Sequence, residues 1–166
     1  MRIIILSLCI CASVACRKPL SREQILQSKI DSLELKIASA YTPGFGEFMT
    51  AIQAHHAKLW FAGKNENWKL AAFEMKEIRE SLAAIQQYVT DRPETKSLGI
   101  LDPALERTDR AISQQNAVSF TGSFVNLTNT CNNCHLENNF EFNQVKIPGT
   151  NIFSNQEFLP VQVKEQ

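Results

Sequence analysis

Cys131-Asn132-Asn133-Cys134-His135 is the stretch on which the reading of this chain turns. On a helix, positions 131, 134 and 135 lie three and four residues apart, so their side chains reach one face. Two thiols at that spacing with an imidazole directly after them form C-x-x-C-H, the attachment signature of a c-type haem. The sulfurs of Cys131 and Cys134 would form thioethers with the porphyrin vinyl groups, and His135 would ligate the iron.

Working back from the motif, Phe120, Phe124, Leu127, Cys131 and Cys134 step by four, three, four and three, the rhythm of one helix face. Asn138 and Asn139 are suited to end that helix. Three further helices precede it. The first runs from about Phe45 to Ala62, with Phe48, Met49, Ile52, His55, His56 and Leu59 on a broad face and Gly63 as its stop. The second runs from about Asn67 to Tyr88 on a stripe of Trp68, Ala72, Met75, Ile78, Leu82, Ile85 and Val89. Thr90 to Ile100, with Pro93 and Gly99, reads as a loop. Asp102 followed by Pro103 reads as a cap and a first helical residue, opening a third helix to about Gln114. A break near Asn116 separates it from the last helix. Lys58, Glu74, Glu77 and Glu80 read as a solvated, charge-paired face. The aperiodic tail, with Phe140, Phe142, Phe153 and Phe158, would wrap the helices or cover a haem edge. The fold class is all-α: an antiparallel four-helix bundle with the motif near the C-terminal end of its last helix.

A haem-attachment motif in that place resembles the class II c-type cytochromes, the cytochrome c-prime and c-556 group. Gln53-Ala54-His55-His56-Ala57-Lys58-Leu59-Trp60 and Asn67-Trp68-Lys69-Leu70-Ala71, with the motif itself, also look like a group of exported bacterial proteins of that general type. The likeness covers roughly residues 45 to 160. It implies one covalent haem c on Cys131 and Cys134, with His135 as proximal ligand.

The sixth iron position has three readings. In an up-down-up-down bundle the end of the last helix lies level with the start of the first, which favours Met49. His55 lies six residues further on, about 9 Å along the axis, and would more naturally meet a haem edge. Periodicity does not separate His55 from His56, and the third reading leaves the position without a protein ligand. Met/His ligation suits electron transfer, whereas an open site binds small gases. The expected function is a monohaem electron carrier between periplasmic redox partners. The alternatives are a haem-based gas-binding or sensory protein and a structural bundle with a redox-silent haem. A zinc site would need two more ligands, and adjacent His55 and His56 point about 100° apart on a helix. A thioredoxin-type dithiol expects a βαβ pattern that the sequence lacks. No Ser/His/Asp set, phosphate-cradling loop or carboxylate pair points to catalysis.

The N-terminus reads as a leader. Arg2 precedes the apolar run Ile3 to Ala12, too short to span a bilayer, so residues 1–15 read as a signal peptide. Ser13-Val14-Ala15-Cys16 resembles a bacterial lipobox, with Ser13 departing from the usual leucine, and would make Cys16 an acylated membrane anchor. Cys9 and Cys11 leave with the signal, so no thiol remains for a disulfide framework. Residues 16–43 read as a tether. Leu26, Ile30, Leu33 and Ile37 are spaced four, three, four, which fits one amphipathic helix on the domain or a self-associating stalk that would make a homodimer. Residues 44–166 read as the haem-binding four-helix bundle with its irregular C-terminal tail. The 166 residues carry 17 basic and 17 acidic side chains, a balance that does not support nucleic-acid binding.

Overall fold

The computed structural model describes residues 21–40 and 43–162, the side chain of residue 38 excepted. The signal peptide, Cys9, Cys11 and the lipobox at Cys16 lie outside the described residues. The chain divides into two units, Met1–Tyr41 and Thr42–Gln166. In the first, α1 (Arg22–Ala38) opens with a capping box. Ser21 Oγ accepts from Gln24 N at 3.2 Å, while Gln24 Oε1 accepts from Ser21 N at 2.9 Å. Leu26, Ile30, Leu33 and Ile37 are exposed.

The second unit is built from α2 (Phe45–Lys64), α3 (Trp68–Tyr88), a 3₁₀ segment (Pro93–Leu101), α4 (Asp102–Ser113) and α5 (Ala117–Glu137). No strand occurs among the described residues. The helix starts follow from local chemistry. Glu47 at the third position of α2 accepts from Gly44 N, Asn67 accepts from Leu70 N, and Asn116 accepts from Ser119 N. The expected break at Asn116 is therefore a true helix start. α2 packs most extensively on α3 and α4 on α5, with α3 also meeting α4 and α2 meeting α5.

Four local expectations need correction. Gly63 is not the stop of its helix but lies inside α2, with Asn65 as the cap and Glu66 in the left-handed region at φ 55°. It is small for another reason: a Cβ there would stand 2.1 Å from Phe120 Cε1. The stripe of α3 uses Ala71 rather than Ala72, because Ala71 is four residues before the buried Met75 and Ala72 is exposed. Asp102 is already helical and makes no side-chain cap; Leu101 holds the cap position. Thr90 to Ile100 is not all loop, since the 3₁₀ segment buries Leu98 and Leu101 in the core.

Around Phe120 the packing is dense. Phe120 and Phe124 are fully buried, and Trp60, Trp68 and Phe124 all set their rings within 6.4 Å of Phe120. Phe158 from the tail closes this core against Phe61 and Phe153. The tail thus packs on the helices here, and Phe140 borders the cavity described next, while Phe142 stays exposed. The stripe that fills the core at Phe120 continues towards the motif, where the packing opens.

Candidate functional site

A cavity of about 550 Å³ lies between the first half of α2 and the last turns of α5, floored by the 3₁₀ segment. Met49, Ile52 and His56 line it from α2, Leu127, Cys131, Cys134 and His135 from α5, and Leu98 and Leu101 from below. Its wall is predominantly aliphatic, with a few polar groups converging on it, as in sites for small molecules and cofactors. The size lies within the roughly 300–1,000 Å³ usual for such sites.

The motif residues meet there because α5 keeps them on one face. Cys134 is buried and Cys131 is half-buried. Burial pushes the Cys131 thiol up to about 12 and raises Cys134 as well. Both sulfurs therefore carry their protons at neutral pH. That is the opposite of a reactive dithiol, which needs a depressed pKa.

His135 has its tautomer fixed by the chain. Its Nδ1 lies 2.6 Å from the Asn143 carbonyl oxygen. A carbonyl oxygen can only accept, so Nδ1 carries a proton, and in the neutral ring Nε2 is the nitrogen with the lone pair. A metal-ligating imidazole is ordinarily held this way, with the second nitrogen donating to a carbonyl or carboxylate. Among the described residues, no three His, Cys, Asp or Glu side chains gather as a metal site. An iron porphyrin asks less, because the macrocycle supplies four nitrogens and the chain only axial ligands.

The histidine pair divides between two environments. His56 is buried with its ring centroid 4.4 Å from that of Phe124. Its Nε2 lies 2.9 Å from Thr128 Oγ1, whose one proton goes to the Phe124 carbonyl at 2.9 Å. The hydroxyl thus accepts from Nε2–H, and Nδ1 is the bare nitrogen. Desolvation lowers the His56 pKa to about 4, so the ring is neutral at pH 7. His55 does not line the cavity; its Nδ1 is bonded at 2.7 Å to Glu74 Oε2. Glu74 is almost fully buried, which corrects its place on a solvated face. It turns inward because it lies three residues after buried Ala71 and four before buried Ile78, with His55 as its partner. Lys58 instead lies over the Phe153 ring at 5.1 Å, and Glu80 pairs with Lys76 at 2.9 Å.

Several contributors carry no periodic signal. Arg92 and Glu94 border the cavity as an ion pair at 2.7 Å, with the Glu94 carboxyl held below its usual range by the Arg92 hydrogen bond. Their segment contains Pro93 and has no repeat that would mark it. Asn132, inside the motif, bonds both backbone groups of Val145. Nothing in the sequence identifies the backbone that Asn132 reaches.

Comparison with protein-family models, curated proteins and solved structures finds no match to this chain. No helix among the described residues is long and apolar enough to cross a membrane.

Proposed function

We propose that the chain is a monohaem c-type cytochrome of the class II kind, with α2 to α5 as an antiparallel four-helix bundle, and that it carries single electrons between periplasmic redox proteins. One observation carries the reading: Cys131, Cys134, His135 and Met49 border one largely aliphatic cavity, with His135 giving its Nδ1–H to the Asn143 carbonyl.

Cys131 and Cys134 would hold the haem as thioethers, a thiol addition to its vinyl groups that keeps both hydrogens and needs no oxidant. When bound, the haem supplies a one-electron iron couple. His135 would hold the iron through a ring nitrogen, and Met49, which borders the same cavity, is the favoured second protein ligand. His56, neutral and bonded through Nε2–H, has only Nδ1 to offer as an alternative. Ile52, Leu98, Leu101 and Leu127 line the cavity and would keep water from a bound haem. Export on the signal peptide and acylation at Cys16 would keep the protein at the outer side of a membrane, where c-type haem is attached.

The test is the visible spectrum of the full chain expressed with haem-attachment machinery. A covalent haem that survives denaturation, low-spin and unmoved by carbon monoxide, is the expected result. Met49→Ala should turn it high-spin, and Cys131→Ala with Cys134→Ala should abolish covalent attachment. A high-spin spectrum that shifts with carbon monoxide would give the site to gas binding. A colourless mature protein would end the haem reading.

A further inference from the structure

Asn132 makes two hydrogen bonds to one residue thirteen positions downstream. Its Nδ2 donates to the Val145 carbonyl at 2.8 Å, and Val145 N–H donates to its Oδ1 at 2.8 Å. The carboxamide copies the pairing of one peptide group with another, so it fixes both position and orientation of the backbone it grips. The tail between α5 and Val145 has no regular structure of its own. It is pinned first at Phe140, whose N–H donates to the His135 carbonyl at 2.8 Å, and turns with Asn143 N–H donating to the Phe140 carbonyl at 2.9 Å. Asn143, whose carbonyl accepts from His135 Nδ1, therefore lies between two anchor points, Phe140 and Val145.

We infer that Asn132 is a positioning residue for the iron ligand: by gripping Val145 it holds the Asn143 carbonyl on the His135 ring proton and so sets how strongly that ring donates to iron. This rests on the haem reading above. A ligating imidazole that gives its second N–H to a good acceptor is more basic, and a more basic axial ligand stabilises the oxidised iron. Releasing the carbonyl therefore raises the reduction potential. Asn133, the other residue between the cysteines, is exposed and serves as an internal control.

The full chain is matured with its haem as wild type, Asn132→Ala and Asn133→Ala. The midpoint potential and the hydrogen-exchange protection of the Val145 amide are then read on each. Asn132→Ala should raise the potential and lose the Val145 protection, and Asn133→Ala should change neither. Loss of protection with a wild-type potential would make the grip merely structural and overturn the inference. Should Asn132→Ala fail to mature, Val145→Pro removes the N–H while leaving the motif untouched. It breaks one of the two bonds and should also raise the potential, by less than Asn132→Ala, and a wild-type value there also overturns the inference. Failure of the haem reading looks different: the wild-type chain takes up no haem, while Val145 protection remains measurable on the haem-free chain.

Discussion

The two ends of α5 are built from one sequence rhythm and reach opposite results. At Phe120 the helix is pressed so closely on α2 that Gly63 has no space for a methyl group. At Cys131 to His135, three turns on, the same face borders a cavity of about 550 Å³. The stripe is continuous from Phe120 to Cys134, so the helix itself does not make the difference. The partners do. Trp60, Trp68 and Phe124 crowd the first end, whereas Met49, Ile52 and Leu98 leave room at the second. An apolar period marks a face as buried without telling whether protein or something else covers it.

Four substitutions or titrations probe that contrast. The largest effect belongs to the packed end: Phe120→Ala should cost about 3–5 kcal/mol in denaturant unfolding, because the surrounding aromatic rings cannot close over the gap. A cost near that of an exposed residue would show that the two ends are not differently packed.

Next comes acid. His56 has a folded pKa of about 4 against 6.5 when solvated, so between those values the unfolded chain binds the extra proton. The stability tied to its neutral ring is fully present above pH 6.5 and is lost as the pH falls towards 4. At roughly 1.4 kcal/mol per pKa unit, the loss is about 3 kcal/mol at most. Urea midpoints measured from pH 7.5 to 4 should fall, and His56→Gln, which can still donate to Thr128, should flatten that part of the curve.

The cavity end should respond less to truncation. Leu82 is buried and borders the cavity, so Leu82→Ala widens a space already there and should cost about 2 kcal/mol, the low end for leucine. A loss as large as that of Phe120→Ala would erase the contrast. Smallest is Gly63→Ala. The clash with Phe120 costs about 1–3 kcal/mol, of which the better helix propensity of alanine returns about 1. Pairing it with Phe120→Leu should recover part of the loss.

Much of the helical plan was legible. Phe45, Asn67, Asn116 and Asn138 all fall at or beside real helix ends, because start and stop signals are local chemistry. The α5 stripe from Phe120 to Cys134 could likewise be read from its spacing. Gly63 was misread because a glycine that ends a helix and one that admits a ring from another helix look the same in sequence. Glu74 was misread because burial of a carboxylate depends on a partner, His55, nineteen residues away. For the site, the spacing puts the motif residues on one face of α5, and the cavity brings them beside Met49. His56 and His55 could not be told apart until Thr128 and Glu74 were seen beside them. Arg92, Asn143 and Val145 stayed hidden since they act from segments without periodicity.

The aromatic cluster also decides what an optical experiment on this chain can see. Both of its tryptophans, Trp60 and Trp68, lie against Phe120. Tryptophan emission from the haem-free chain will therefore report chiefly the melting of the crowded end, and rearrangements around His135 that spare this cluster can pass without a signal.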